Sequence, residues 1–509
     1  MNKRIANSLA AIGLALVSLF LLLNDTSQAA RAAVEIRYVA PGGDDAGMCQ
    51  DVAHPCRTIY YAVSIANPSD EIWLAEGTYT GTGAAIITIT KSITLYGGWD
   101  GATLGVRDPQ IYPTTLDAQS TRQGVIVSGA ITVTLEGFTV TNGVAPIQGA
   151  GLYAKNAYLT LRDMTFYSNI ISTTVTDDDA YGGGAMVEGG TLQVEACRFY
   201  SNSAKSLHAP SGGGLFISGT LQATVENSVF QDNDAWHGNG LYFRGSDAGR
   251  TLLVIRNSRF LDNGWGNSPG AADGGYAGAI RVFRAIARIE DNSFIHNQAV
   301  NGYGAVGVSS SELILARNII SGNTSYYEAS GLWLSGVSPF TLTNNVIVGN
   351  ESTYSWVQHQ GIDIRGSRGQ MRHNTIALNN NTYGIRVWNG ASVALTNTIL
   401  VSHTVGITVA AGSTATLEGT LWGSGAWAND ADWDGAGTIV TGTVNLWGDP
   451  HFSDDGYHLL FGSAAIDAGL NAGVIDDIDG NARPQDDGYD LGADEVFGHH
   501  LYLPLILRN

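Results

Sequence analysis

Lysine, cysteine and proline are scarce in this 509-residue chain, and each shortage excludes something. Only Lys3, Lys91, Lys155 and Lys205 are present among 26 basic residues, and the formal charge is -20. Such a chain repels a phosphate backbone, so nucleic acid is not an expected partner. Three cysteines exclude a disulfide-dense miniprotein. Charged residues make up 14% of the chain, whereas soluble domains average about a quarter. Hydrophobic content of 44% and aromatic content of 9% suffice for a large core, which excludes wholesale disorder. The 65 glycines have no collagen period.

What is present begins with an export pattern. Lys3 and Arg4 precede an apolar run from Leu9 to Leu23, and Ser27, Gln28 and Ala29 offer small residues for cleavage. Residues 1–30 therefore read as a signal peptide, with an uncleaved membrane anchor as the rival; the run falls short of the roughly 20 residues that span a bilayer. Export makes a Cys49–Cys56 disulfide permissible within one short loop, and Cys197 reads as a buried free thiol.

The chain then repeats itself. Gly182-Gly183-Gly184-Ala185-Met186-Val187 leads to Phe199-Tyr200-Ser201-Asn202, and Gly212-Gly213-Gly214-Leu215-Phe216-Ile217 leads to Phe230-Gln231-Asp232-Asn233. Further units end at Asn142, Asn169, Asn263, Asn297, Asn323, Asn350 and Asn379, spaced 26 to 34 residues apart. β-Branched runs such as Thr132-Val133-Thr134-Leu135 fill the units, and no helical apolar stripe persists. A unit of this size cannot bury its own apolar face, but stacking units at about 4.8 Å produces one core. The expected fold is all-β: a parallel β-helix of about eleven coils over 125–425, with recurrent Asn side chains laddered from coil to coil at left-handed turns. A β-propeller would need a period nearer 40–50 residues.

The ends differ from the middle. Residues 31–124 read as an N-terminal cap and first coils, with Thr58 to Ala66 the best helix of the mature chain, placed to lid the first coil. Residues 426–497 read as a C-terminal module that closes the other end, and 498–509 as a hydrophobic tail. On the Phe-x-x-Asn copies at Phe166, Phe199, Phe230, Phe260 and Phe294, the array resembles the repeats of polymorphic outer-membrane protein adhesins and, as a whole, the pectin-lyase-like right-handed β-helix superfamily, which implies a right-handed parallel β-helix. Gly448-Asp449-Pro450-His451-Phe452, Gly462 to Gly469, Asp479 to Pro484 and Leu491-Gly492-Ala493-Asp494-Glu495 resemble the choice-of-anchor Q domain, which implies a secreted or bacterial cell-surface location.

Chemistry on such a fold sits on the outside. Paired Asp residues would serve glycoside hydrolysis, and Ca²⁺ with an Arg base would serve uronate elimination. Asp234, His237, Asp363 and Arg365 are the candidates for catalysis, each competing with a solvated turn or strand residue. Asp430, Asp432 and Asp434 alternate before Gly435, as in a calcium loop, although Thr441 stands where a final Glu ligand belongs. A plain Asp-Gly turn is the rival there and at Asp477-Ile478-Asp479-Gly480, Asp177 to Asp179 read as a solvated loop, and no His or Cys cluster has zinc spacing. No cofactor is otherwise required. Period-two alternation places Tyr153, Phe216, Tyr242, Trp333, Asp363 and Arg386 outward at one coil position, with Lys155, Arg244, Arg365 and Trp388 beside them. Loop residues Trp236, Trp265, Tyr276, Tyr303, Tyr326, Tyr327, Tyr354 and Trp356 would wall the same face. A column of exposed rings marks a contact surface. The expected partner is a polysaccharide or cell-surface glycan bound by a monomer; adhesion to a host or neighbouring-cell surface protein, and polysaccharide lyase or glycoside hydrolase activity, are the alternatives.

Overall fold

The computed structural model describes residues 34–172, 179–206, 208–246, 251–264, 278–299, 302–326, 328–352, 360–379 and 383–497. The signal-peptide segment, the 498–509 tail, Asp177, Asp178, Trp265, Tyr276, Tyr327, Tyr354 and Trp356 lie outside them. Every pairing between named strands is parallel, and each links one repeat to the next. One coil runs Leu152–Lys155, Tyr158–Arg162, Thr165–Tyr167, and the next runs Ala185–Glu188, Thr191–Glu195, Arg198–Tyr200. The first strands of successive coils stack into a thirteen-stranded sheet, and the second and third strands into a twenty-seven-stranded one. The chain is therefore a parallel β-helix. The stack begins before residue 125, with Ile36–Val39 paired to Glu71–Ala75, and continues past 425 to Asn445–Gly448.

Alternation decides what faces the lumen. Leu159 and Leu161, Leu192 and Val194, and Leu253 and Ile255 point inward and are buried in a single cluster running the length of the stack. Phe166, Phe199, Phe230, Phe260 and Phe294 stack inside it with centroids 4.9, 4.7, 4.7 and 4.9 Å apart. Those spacings equal the inter-strand distance, so the rings repeat because the strands do.

The amide ladder takes the same period. Each Nδ2 donates to the next Oδ1 in the series Asn169, Asn202, Asn233, Asn263, Asn297, Asn323, Asn350 and Asn379, at 2.8–3.1 Å. His403 extends it: its Nε2 accepts from Asn379, and its Nδ1 faces Asn429 Oδ1. Two expectations are corrected here. The left-handed residue is the one preceding each ladder Asn, such as Ser168, Ser201, Asp232 and Asp262, so turn strain and amide stacking fall on different residues. Asn142 is itself one of these left-handed residues, and Gly143 holds the rung beneath Asn169.

A second ladder runs through the preceding corner. Asn292 Nδ2 donates to Asn318 Oδ1, Asn318 to Asn345 and Asn345 to Asn374, each at 3.0 Å. Ser228 and Ser258 occupy the earlier rungs and Cys197 the first, where its N–H donates to Ser228 Oγ. Cys197 is fully buried, and burial pushes its thiol up to about 12, which leaves it inert at neutral pH.

At the N-terminal end, helix Ile59–Ile65 buries Ile59, Ala62 and Val63 against the first coil and is capped by Thr58, whose Oγ1 accepts from Tyr61 N–H. Cys49 and Cys56 form a disulfide beside it, with Cα atoms 5.4 Å apart. Arg37 is fully buried and donates through Nε and Nη2 to Asp70 Oδ2. Within the C-terminal module, Ala431–Asp434, Thr438–Thr441 and Asn445–Gly448 cover the end of the stack as a last coil, whereas the part from Phe452 onward departs from the expected end cap and lies along the flank. Phe452, Leu459, Ala465, Leu491 and Ala493 pack on the outward faces of Val346, Val348, Ala377, Ile399 and Leu421. Asn344 donates to Asp476 O, Asn397 to Leu470 O, and Ala493 N–H to Thr375 Oγ1.

Candidate functional site on the thirteen-stranded sheet

Parallel register carries one outward position along the whole sheet. It reads Thr88, Ile126, Tyr153, Met186, Phe216, Tyr242, Arg281, Gly307, Trp333, Asp363, Arg386, Thr408 and Asp434. The neighbouring outward column includes Lys155, Glu188, Arg244, Phe283, Arg365 and Trp388. Sequence alternation thus places Tyr153, Phe216, Tyr242, Trp333, Asp363 and Arg386 in one file, but it does not say which of them water can reach.

The first part of the file is roofed. Phe216 and Tyr242 are only 2% and 8% exposed, so neither offers a free ring face. Tyr181 packs on Phe216 at 4.6 Å, and His237 meets the edge of Tyr242 at 6.2 Å. Both covering residues belong to the stretch that leads into an outward strand, and their fold-back has no period to reveal it. Tyr153 is half-buried and donates its hydroxyl to Glu188 Oε2. Arg244 is exposed, and Lys155 pairs with Glu188 at 3.2 Å. Tyr303 is buried over Gly307, where an added Cβ would fall 1.6 Å from its ring; only glycine admits that ring, which stacks on Trp333 at 4.9 Å.

The four candidate catalytic residues do not form one centre. Asp234 and His237 lie at the coil of Tyr242, whereas Asp363 and Arg365 lie four coils further on, about 19 Å away at the spacing of strands. Carboxyl pairs in glycosidases stand roughly 5–9.5 Å apart, so an Asp234–Asp363 pair is excluded. Burial pushes the Asp234 carboxyl up to about 6, opposed by Lys205 at 3.9 Å. Burial and then the Arg281 guanidinium hold His237 down to about 3, and its Nδ1 lies 2.6 Å from Arg281 Nη1. His237 is thus a neutral acceptor that orients Arg281 over Tyr242.

The open part of the file is the second cluster. Trp388 donates its indole N–H to Asp363 Oδ1 at 2.6 Å, and Arg386 lies 4.0 Å from the other oxygen. The guanidinium carbons of Arg365 and Arg386 stand 4.7 and 4.5 Å from the Trp388 ring centroid. The ring therefore serves as a platform for two cations. Asp363 is 3% exposed, and burial pushes it up to about 6 despite the Trp388 hydrogen bond and Arg386. Glu328 is also raised by burial, with Arg365 and Arg386 opposing. The cluster presents two guanidinium groups to solvent above Asp363, which burial holds at about 6, and beside Glu328, which burial raises in the same direction.

The expected calcium loop is not formed. Ala431–Asp434 is an extended strand paired with Val405–Val409, so the alternating carboxylates line up at about 6.8 Å intervals instead of wrapping one centre. Asp432 is also committed, accepting from Asn429 Nδ2 at 3.1 Å and from Trp447 Nε1 at 2.7 Å.

Parallel strands stacked coil on coil in one register define the class, a parallel β-helix. The sequence matches the family described as the right handed beta helix region over residues 114–277 and 253–421, together more than half of the chain, and the protein belongs to that family. No curated protein matches it. Similar solved structures include the pectate lyase Pel9A, 16% identical over 91% of this chain and 96% of that one with a TM-score of 0.40. The periplasmic alginate epimerase AlgG is 12% identical over 70% and 78%, with a TM-score of 0.39. A mannuronic acid specific polysaccharide family 6 lyase from human gut microbiota is 11% identical over 75% and 86%, with a TM-score of 0.34. Among the described residues no helix is long and apolar enough to cross a membrane.

Proposed function

We propose that this protein is an exported, surface-displayed β-helix that binds a polysaccharide across the outer face of its thirteen-stranded sheet. The supporting observation is the Trp388 platform, where Arg365 and Arg386 lie over one ring whose N–H is fixed by buried Asp363. Guanidinium forks bind carboxylates and hydroxyls in bidentate fashion, and stacking on an indole holds them ready. Successive coils rise by about 4.8 Å, close to one sugar ring, so an extended chain could contact Trp333, Arg365 and Arg386 on successive coils. The choice-of-anchor Q-like segments and the adhesin-like repeats support a place on the cell surface; adhesion to protein would use the same face without needing a periodic ligand. The test is affinity electrophoresis of the mature chain against polygalacturonate, alginate and a neutral glucan, with Arg365→Ala, Arg386→Ala and the double variant. The double variant should lose at least tenfold in affinity at an unchanged melting temperature. Parental affinity in that variant overturns the proposal.

Catalysis on the same platform is the second reading. It is favoured by Asp363, which burial places at about 6 beside two guanidinium groups. A carboxyl group in that range can serve as an acid or base at working pH. Assays for unsaturated uronates and for new reducing ends, compared between the parent and Asp363→Asn, separate an enzyme from a binder.

A further inference from the structure

The C-terminal module brings together three donors that the sequence keeps far apart. His458 follows the turn at Ser453–Gly456, Asp479 sits in the Asp477–Gly480 turn, and Asp494 lies in the last described stretch. One ligand atom from each falls within 4.8 Å of the other two. His458 Nε2 points at Asp479 Oδ2, 2.7 Å away. Its Nδ1 is held by Asp455 Oδ2, and Asp455 is itself fixed by Ser453 Oγ and by the N–H groups of Tyr457 and His458. A carboxylate behind an imidazole fixes its tautomer and aims the second nitrogen, which is the usual outer shell of a metal-bound histidine. Asp494 is 6% exposed, and its Oδ2 accepts from Leu459 N–H at 2.7 Å.

Charge balance points the same way. Asp455, Asp479 and Asp494 surround a single imidazole, and the buried guanidinium of the module, Arg483, is committed to Glu495 and to the carbonyls of Asp476, Asp490 and Gly492. Even a protonated imidazole leaves the group with excess negative charge. Asp477, fully buried, does not compete as a ligand, because it accepts from Asp479 N–H, Asn481 N–H and Nδ2, and Glu495 N–H and so shapes the turn.

From this geometry we infer that His458, Asp479 and Asp494 bind a divalent transition-metal ion of the zinc class. One imidazole nitrogen with two carboxylates suits zinc, whereas calcium selects oxygen ligands. Tetrahedral zinc sets its donors about 3.4 Å apart, which lies inside the range spanned here. No zinc spacing is visible in the sequence because each donor comes from a different segment. The bound ion clasps three segments of the module that docks on the flank of the coil stack.

The test is calorimetric titration of the chelator-dialysed full chain with zinc chloride, followed by X-ray absorption of the loaded protein. One zinc per chain is expected, with one nitrogen and otherwise oxygen ligands, and with calcium chloride failing to displace it. Asp479→Asn and His458→Gln should each lower zinc affinity at least 100-fold. Asp455→Asn, which spares all three ligands, should lower it about 10–100-fold. Should His458→Gln fail to fold, Asp455→Asn and the nitrogen signal decide the question. Absence of saturable zinc binding, or binding undiminished in Asp479→Asn and Asp455→Asn, overturns the assignment and leaves His458 as an imidazolium paired with two aspartates.

Discussion

Replacing Asn233 by alanine removes one rung of a continuous amide ladder, and the cost can be worked from its partners. Asn233 Nδ2 donates to Phe199 O at 2.8 Å and to Asn263 Oδ1 at 3.0 Å, and its Oδ1 accepts from Asn202 N–H at 3.2 Å and Nδ2 at 3.0 Å. Two of these partners keep a second bond: Asn202 Nδ2 still reaches Phe166 O, and Asn263 Oδ1 still accepts from Asn233 N–H. The loss therefore concentrates on the N–H of Asn202, because the carbonyl of Phe199 also faces the paired strand Val229–Gln231 of the next coil. A buried group left unsatisfied costs about 1–3 kcal/mol, and the substitution should destabilise by about that much. It weakens the interfaces to both adjoining coils, because stability in a solenoid is a sum over neighbours. Urea unfolding followed by far-ultraviolet circular dichroism measures the change. Asn142→Ala is the matched control, since that amide reaches only Asp117 from a half-buried turn and should cost less than about 1 kcal/mol. An Asn233→Ala variant within about 0.5 kcal/mol of the parent, or no worse than Asn142→Ala, would refute the ladder as a source of stability.

Two further outcomes follow from buried charge. His403 is held down to about 4 by burial while its Nε2 accepts from Asn379, so the unfolded chain binds more protons than the folded one between about pH 4 and 6.5; stability should rise with pH across that window, and His403→Asn should flatten the slope in thermal melts. Asp70→Ala strands the fully buried Arg37 guanidinium and should cost about 3–5 kcal/mol, seen as earlier proteolysis of the N-terminal cap; a cleavage pattern identical to the parent's counts against it.

Much of the scaffold is legible in the repeat. Phe-x-x-Asn marks an inward ring followed by a ladder amide, and with the second ladder included the pattern is a small polar residue two positions before Phe, as Ser228 before Phe230 and Asn292 before Phe294. That earlier rung escaped sequence reading because Cys, Ser and Asn share it. Parallel stacking makes such positions readable, since each strand takes its register from the strand one coil away and alternation of two fixes its face. The outward file from Tyr153 to Arg386 follows from the same rule.

Access and convergence follow no period. The units vary from 26 to 34 residues, and the variable stretches decide that Tyr181 and His237 cover Phe216 and Tyr242 while the Trp388 platform carries two guanidinium groups. The separation of Asp234 from Asp363 depends on counting coils between them. The flank docking of the last module depends on the outward faces of Val346, Val348 and Ile399, which read as ordinary strand residues until Leu491 and Ala493 cover them. Nearest-neighbour register is written into the repeat itself, whereas contacts between segments with no common period arise only once the whole stack has formed.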